Sequence, residues 1–276
     1  VGIAGGIIAN KTTQNWIEKP IGRDAILIAH QDMCNQYKLL LSKFYETIED
    51  SHFNYTDEKY LISEELLNRL DLITGITKID ERLILEAPVK EIQGYIIDPE
   101  TASTIPVGDD REGISLVVGV EPGEVVGEWF VDGEFLKNDK GREAVIGDTL
   151  ALKMFAMPVK QYIRTFESDF DVVGVCLDPI NNGNVTYVPL KTLQNITGLS
   201  KPNAVMVKID PSLNRVEILN QIRAEIENLN SEFEVFDINE ILDKNLSFLG
   251  YIWSTIMFLP LTSLFAASLC LICYVM

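Results

Sequence analysis

The last 32 residues of the chain, Asn245 to Met276, contain no charged side chain, and this run limits what the chain can fold into. As a helix it would extend roughly 48 Å at about 1.5 Å per residue, against about 30 Å for the hydrocarbon core of a bilayer. A buried helix of a soluble protein is the alternative, which the length and the lack of charge disfavour. We therefore predict that residues 238–276 form a stalk, from Ile238 onward, and a transmembrane helix.

Two aromatic residues and a proline refine this prediction. Tyr251 and Trp253 suit the interfacial belt of a membrane, and the run from Ile256 to Met276 suits its apolar core. Pro260 removes one backbone hydrogen bond, which predicts a kink near Ile256.

The opposite end of the chain, Val1 to Ala9, is apolar but too short to span a bilayer. It has no basic segment ahead of the apolar residues, so it does not resemble a signal peptide. Gly2 and Gly6 form a small-xxx-small pair that favours close helix packing. We expect residues 1–9 to be the end of a first transmembrane helix, and the sequence to be a fragment cut at both membrane boundaries.

All charged residues lie between Lys11 and Lys244, so this central segment carries the whole net charge of −18. Nucleic-acid binding depends on clustered Lys and Arg, so a nucleic-acid partner is not expected. Five Asn-x-Ser/Thr sequons favour an exported surface, and no basic cluster flanks either apolar end as a cytoplasmic flank usually shows. Residues 10–245 are therefore predicted to lie on the extracytoplasmic side. The sequons begin at Asn10, Asn54, Asn184, Asn195 and Asn245.

The sequence of residues 10–98 predicts alternating helices and strands. The short apolar run 24–29 predicts a buried strand, and Asp32 is expected to cap a helix reaching about Glu49. Ser63 is expected to cap a second helix with Leu66, Leu67 and Leu70 on one face. Strands are predicted at 81–98 and 114–120, followed by turn signals at 121–123 and 132–133.

The rest of the central segment continues as strands and short helices. We predict a helix at 148–155 and strands at 170–176, 185–188, 204–209 and 233–236. Ser212 is expected to cap a helix whose buried stripe comprises Val216, Leu219, Ile222, Ile226 and Leu229. The fold class is therefore α+β. We predict one α/β subdomain built from residues 10–98 and 201–237, sharing one sheet, and split by an inserted β-rich subdomain at 99–200.

Catalytic and nucleotide-binding motifs are missing from the sequence. It has no GxxxxGK[ST] phosphate loop, no GxSxG elbow and no HExxH helix. The acidic pairs Glu64-Glu65 and Asp109-Asp110 are better explained as solvated helix faces and turns than as acid–base groups.

The histidines and cysteines add little chemistry. Because His30 and His52 are the only histidines, a His-rich metal site is not expected. His30 and Cys34 have the spacing of a nucleophile dyad, a weak hypothesis because nothing marks a pocket there. Whether Cys34 and Cys176 pair stays open. We predict no enzyme activity, no cofactor, and no catalytic, cofactor-binding or metal residues.

Four stretches in order resemble the MacB/FtsX-like permeases of ABC transporters. Residues 142–155 are similar to the family's "vvIGxxlAxxlF" segment, and residues 170–178 to the "f.VvGVxxd" strand that follows it. Residues 186–190 resemble the "vyvPl" strand, and 117–122 the earlier "vvGvdp" strand. The resemblance covers most of the chain, and its weight comes from the order of the stretches between two apolar ends.

The resemblance implies a porter-like α/β subdomain interrupted by a β-rich insert, placed outside the membrane between two membrane helices. It also implies a separate ABC ATPase as partner, a second permease copy in a dimer, and no catalytic residues in this domain. On this basis the chain is interpreted as a permease fragment that couples ATPase-driven helix movement to an outer domain. The alternative is a passively membrane-tethered binding or adhesion module. The cargo is not indicated by the sequence.

Overall fold

One unusually long strand, Ile76–Ile92, organises the fold because it belongs to two differently built parts of the molecule. The computed structural model describes residues 25–42, 53–122, 130–178, 180–229 and 232–237. All of them belong to one compact unit, Lys19–Ile238.

The described residues form twelve strands and five helices, numbered here in chain order. The strands are β1 Ala25–His30, β2 Ile76–Ile92, β3 Gly94–Ile97, β4 Thr104–Val107, β5 Glu112–Val120, β6 Phe130–Gly133, β7 Glu143–Gly147, β8 Tyr162–Thr165, β9 Ser168–Cys176, β10 Val185–Pro189, β11 Ala204–Ile209 and β12 Phe233–Asp237. The helices are α1 Gln31–Ser42, α2 Glu64–Asp71, α3 Asp148–Met154, α4 Leu190–Thr197 and α5 Arg215–Asn228.

The first part is an open antiparallel sheet in the order β12-β1-β11-β2. It uses only the first half of β2, where Arg82 is the last residue paired with β11. Helices α2 and α5 cover one face with apolar side chains that include Leu66 and Ile222. Helix α1 covers the opposite face, where Lys38 Nζ lies 5.1 Å from the centroid of the Phe236 ring. Because both faces are covered, this sheet is buried between helices.

The second part is a closed barrel. β2 pairs with β5, β5 with β10, β10 with β7, β7 with β9, β9 with β8, and β8 returns to β2. The second half of β2 supplies Leu83, Leu85, Ala87 and Val89 to the interior, as the two-residue period of a strand requires. Side chains from α3 and α4, such as Leu150 and Leu193, complete the barrel core. β6 pairs with β9 outside this circuit, and β3 and β4 form a separate hairpin.

The α+β class predicted from the sequence is confirmed, and several element ends differ from expectation. Ser63 caps α2, its Oγ accepting a hydrogen bond from the Leu66 N–H. The prediction for Ser212 is wrong: Asn214 caps α5, while the Ser212 hydroxyl donates to Asp210 in the preceding turn.

Two further expectations about helices need correction. Asp32 does not cap α1, since the helix begins one residue earlier at Gln31. The Asp32 N–H instead donates to His30 Nδ1. In α5, Val216 is 63% exposed, and Ile218 is buried because it lies one turn before Ile222 on the buried face.

Strands from both predicted α/β segments lie in the open sheet, since β1 pairs with β11 and β12, and β11 pairs with β2. The subdomain borders at residues 98 and 200 stay predictions. The proposed membrane segments, 1–9 and 238–276, lie outside the described residues, as do residues 43–52 at the expected end of α1. Within the described ranges, every helix is too short or too polar to cross a bilayer.

Candidate functional site at the junction of sheet and barrel

Five buried polar or aromatic side chains meet where the open sheet becomes the barrel. We call Tyr37, Asp80, Arg82, Asp178 and Tyr187 the junction cluster, and each is at most 6% exposed. Tyr37 comes from α1, Asp80 and Arg82 from β2, and the other two from the barrel and the loop before β10. The cluster therefore joins groups from the open sheet, its covering helix and the barrel.

Asp80 and Arg82 form an ion pair inside the junction cluster. Their side chains share one face of β2, being two residues apart in a strand. Arg82 Nε and Nη2 lie 2.9 Å and 2.7 Å from Asp80 Oδ2. Although burial opposes the charged form, Asp80 and the two tyrosines raise the pKa of Arg82 above its ordinary value. Arg82 is therefore a permanent buried cation.

The two tyrosines of the junction cluster come from helix α1 and from strand β10 of the barrel. The Tyr187 hydroxyl donates to Asp178 Oδ2 at 2.5 Å. Burial raises the pKa of both Tyr37 and Tyr187 well above the ordinary value, so both stay neutral hydrogen-bond donors. Arg82 lowers, and Asp178 raises, the pKa of each ring hydroxyl, although burial is the largest cause of both shifts. The cluster is thus one electrostatic unit.

Asn203 stabilises the backbone of β2 at the same crossing. At Ile84, β2 has left β11, so its N–H and C=O have no ladder partner on that side. Asn203 Oδ1 accepts from the Ile84 N–H at 2.8 Å, and its Nδ2 donates to the Ile84 C=O at 2.8 Å. The same Nδ2 donates to the Tyr55 C=O. One buried amide side chain therefore replaces the missing strand.

The points where the chain enters and leaves the described unit are neighbours. Ile26, near the start of β1, pairs with Asp237, the last residue of β12. Arg215, at the start of α5, holds Asp237 through two bonds, Nε–Oδ2 at 2.9 Å and Nη2–Oδ1 at 2.7 Å. The segments before residue 25 and after residue 237 are therefore connected to adjacent strands at the same end of the sheet.

His30 and Cys34 do not form a dyad. His30 Nδ1 accepts the Asp32 N–H, and Nε2 lies 3.0 Å from Glu232 Oε2, so both ring nitrogens are already engaged. The Cys34 thiol faces the carbonyl oxygens of Ala29 and Glu234. Burial, aided by Glu234, raises the pKa of Cys34 to about 12, which keeps the thiol protonated and unreactive.

The remaining candidates also have structural roles. Cys34 and Cys176 are buried free thiols and do not pair. Glu65 forms an ion pair with Arg69, and Asp109 with Arg111, both at the surface. No group of three His, Cys, Asp or Glu side chains suited to a metal ion occurs within the described ranges.

The sequence reading did not identify the junction cluster. The available signal was the opposite charges of Asp80 and Arg82 at alternate positions, on one face of a strand that continues into the apolar run 83–85. Opposite charges two residues apart in a buried strand indicate a paired buried site, since a lone buried charge is too costly. The contributions of Tyr37, Asp178 and Tyr187 depend on contacts between distant parts of the chain, which strand periodicity does not reveal.

Residues 45–225 match the family described as the MacB-like periplasmic core domain. This match covers more than half of the 276 residues, and the chain belongs to that family. The resemblance to MacB/FtsX-like permeases is thereby confirmed. No curated protein sequence matches the chain.

Solved structures show the same fold. The periplasmic region of MacB from Actinobacillus actinomycetemcomitans superposes with a TM-score of 0.53 and 14% identity, over 81% of this chain and 92% of that one. The extracellular domain of the noncanonic ABC-type transporter YknZ from Gram-positive bacteria gives 0.50 and 14%, over 77% of this chain and 99% of that one.

Family membership supports, in general terms, a permease subunit of an ABC transporter, for which an ABC ATPase is the expected partner. It implies a membrane-associated protein with an extracytoplasmic segment. The MacB-like core domain is not a catalytic family.

Proposed function

We propose that the chain is the outer domain of an ABC-transporter permease, with flanking membrane segments at 1–9 and 238–276, that transmits ATPase-driven movement. The single observation that carries this proposal is the pairing of β1 with β12 at Ile26 and Asp237. Two membrane helices connected there would be linked along the chain to neighbouring strands. A relative shift between them would act directly on two hydrogen-bonded strands.

The proposed route for the movement follows the hydrogen-bonded order of the strands. A displacement of β12 passes to β1, then β11, then β2. β2 continues into the barrel without interruption, so a rotation of its first half must be accommodated at the junction cluster. We further propose that residues 10–98 and 201–237 form the part driven by the membrane, and that residues 99–200 form the part that responds. The permease acts as a dimer in the bilayer, with an ATPase subunit at the cytoplasmic side.

Sidedness is tested with a membrane-impermeant maleimide on intact cells. In a background where Cys270 and Cys273 are replaced by serine, a Tyr95→Cys variant should be labelled, since Tyr95 is 63% exposed. The same background without the added cysteine is the control, because Cys34 and Cys176 are buried. Labelling of Tyr95→Cys only after cell lysis would place the domain on the cytoplasmic side.

Coupling is tested by spin labels on the intact permease, reconstituted with its ATPase. Labels at Leu72, in the open-sheet part, and Leu152, on helix α3 of the barrel, sit on side chains that are both 83% exposed. We expect the distance distribution between them to change with ATP and to return after hydrolysis. An identical distribution in all nucleotide states would favour the passive tether.

The energy source is tested by calorimetry with Mg-ATP. The sequence has no phosphate-binding loop, so the chain alone should bind no ATP. Saturable binding at micromolar concentration would show that the chain has its own nucleotide site and that the ATPase partner is wrongly assigned.

A further inference from the structure

Three of the five Asn-x-Ser/Thr sequons fall within the described residues, and the proposed function does not use them. They begin at Asn54, Asn184 and Asn195. A carbohydrate chain is bulky and hydrated, so its acceptor asparagine has to lie at the surface, in a loop. The three sequons differ in this respect, because the fold exposes some of their side chains and buries others.

The first sequon, Asn54-Tyr55-Thr56, lies in irregular backbone ahead of the short turn Glu58–Tyr60. Phe53 and Tyr55 are only 1% and 7% exposed, whereas the Asn54 side chain between them is exposed. Asn54 Oδ1 accepts from the Thr56 hydroxyl at 3.3 Å, and its Nδ2 makes no hydrogen bond to another described residue. The nitrogen that would carry a sugar therefore faces solvent.

The residues on both sides of Asn54 are fixed at the crossing of sheet and barrel. The Phe53 N–H donates to Glu86 Oε2 at 3.1 Å, and the Phe53 C=O accepts the Glu86 N–H. The Tyr55 C=O accepts from the Asn203 amide, and the rings of Phe53 and Tyr55 pack edge to face at 4.9 Å. Because these contacts hold the two aromatic residues inward, the folded domain presents Asn54 outward.

The sequon at Asn184 is not accessible to an enzyme. Asn184 Nδ2 donates to the Ile114 C=O at 2.9 Å, so a sugar on this nitrogen would compete with a contact to β5. Thr186, the third residue of the sequon, is fully buried, and its Oγ1 lies 2.9 Å from Ser115 Oγ. Both the amide and the hydroxyl of this sequon therefore have structural roles.

The sequon at Asn195 is exposed but helical. Asn195 lies inside α4, Leu190–Thr197, and not in a loop. The Thr197 hydroxyl donates to the C=O of Leu193, one turn earlier, at 2.8 Å. Of the three sequons, only the one at Asn54 combines an exposed asparagine with irregular backbone.

We propose that Asn54 is an N-glycosylation site, modified outside the membrane by an oligosaccharyltransferase that uses a lipid-linked sugar phosphate as donor. Asn54 Nδ2 attacks the anomeric carbon of the sugar, so that a C–N bond forms while the C–O bond to phosphate breaks. The lipid phosphate leaves with the bonding electrons, and the amide loses one proton. The inference rests on the extracytoplasmic position of the domain in the proposed function.

The position of Asn54 gives the glycan a consequence for binding. Its neighbours Phe53 and Tyr55 contact Glu86 and Asn203, at the place where β2 passes from the sheet to the barrel. A bulky, hydrated glycan there would keep protein partners away from this side of the crossing.

The test is glycopeptide mass spectrometry on the full chain, purified in detergent from the membranes of its own host. We expect sugar on the peptide that contains Asn54, and its complete loss in Asn54→Gln. Thr56→Ala should also abolish the glycan although Asn54 is still present, whereas Thr56→Ser keeps the hydroxyl and should retain it. Asn195→Gln is the matched control, since it makes the same change at another exposed sequon, and it should leave the Asn54 glycan unchanged.

A parent chain with an unmodified Asn54 would overturn the inference, as would a glycan carried by Asn184 or Asn195 instead. Maleimide labelling of Tyr95→Cys on intact cells separates the two causes of such a result. If Tyr95→Cys is labelled from outside and Asn54 is unmodified, the proposed position of the domain stands and the glycosylation inference is wrong. If labelling needs cell lysis, the proposed function fails, and the inference fails with it.

Discussion

The open sheet and the barrel differ in whether they have an edge strand with only one partner. The barrel closes β2, β5, β10, β7, β9 and β8 into a circuit, so each of these strands has a partner on both sides. The open sheet ends at β12, which pairs only with β1 among the described strands. A closed circuit resists shear because every strand is hydrogen-bonded on both sides, whereas an edge strand can shift with the loss of one ladder.

This difference indicates which strand of the domain can be displaced most easily. The edge strand β12 precedes the uncharged run 245–276 in the sequence, so the proposed membrane helix is connected along the chain to the strand with only one partner. The barrel, filled by its own apolar core, would then move as one body. The two parts share β2, and the junction cluster decides how tightly they are connected.

The largest expected effect is at the junction cluster. Arg82→Ala removes the partner of a buried carboxylate, which typically costs about 3–5 kcal/mol. Because β2 belongs to both parts, we expect sheet and barrel to lose stability together in one urea transition. Arg164→Ala, which breaks an exposed pair with Asp169, is the control and should change little.

Two separate transitions in the Arg82→Ala variant would mean that the sheet and the barrel fold independently. Combining it with Asp80→Leu should recover much of the loss, since it removes the unpaired charge.

A smaller effect is expected where β6 lies outside the barrel circuit. At Gly174 of β9, a Cβ would lie 2.3 Å from the Glu134 carbonyl oxygen. Gly174→Ala should therefore displace this backbone and lower the free energy of unfolding by about 1–3 kcal/mol. Amide exchange of Glu134, whose N–H donates to the Val173 carbonyl oxygen, should accelerate, while the barrel strands stay protected.

Gly198→Ala is the matched control for that variant. Gly198 has φ of 73° and no atom within 4 Å of an added Cβ, so it should lose only about 1 kcal/mol of conformational energy. If amide exchange accelerated throughout the barrel in Gly174→Ala, β6 would be an integral part of the barrel and not a strand paired to its outside.

At the open edge, Arg215→Ala should cost about 1–2 kcal/mol. It removes two charge-assisted bonds to Asp237, and partial exposure of the pair limits their value. Hydrogen exchange should rise in β12 more than in β11, since the edge strand loses its tie to α5. Arg223→Ala, an exposed change on the same helix, serves as control, and equal exchange in both variants would argue against Arg215 as the restraint on β12.

The smallest effect is at a helix cap. Ser63→Ala should destabilise α2 by about 1 kcal/mol, because the Ser63 Oγ accepts the Leu66 N–H at the first turn. Ser212→Ala should be milder, because that hydroxyl lies in an exposed turn before α5 and is not its cap. Thermal melts of the two variants give the comparison, and a larger loss in Ser212→Ala would reverse this assignment.

The strands were largely predictable because their periodicity is local. The strand 204–209 was predicted with its observed ends, and 170–176 lies within β9. Caps were less predictable: Ser63 was assigned correctly, but Ser212 and Asn214 are both acceptable caps by residue type. Which of them starts the helix depends on the turn at Asp210, whose carboxylate accepts hydrogen bonds from both the N–H and the hydroxyl of Ser212.

The candidate functional site was harder to predict from the sequence than the fold. Asp80 and Arg82 carry a recognisable local signal, but their tyrosine partners are separated from them by about 43 and 105 positions in the chain.

By itself the sequence determined the apolar ends, the acidic central segment, the α+β class and the family resemblance, because each depends on residue type and short-range period. Only the tertiary structure decided that β2 serves both a sheet and a barrel and that Asn203 replaces a missing strand. These features depend on which distant strands pair, and a strand's own side-chain pattern specifies its buried face without naming its neighbour.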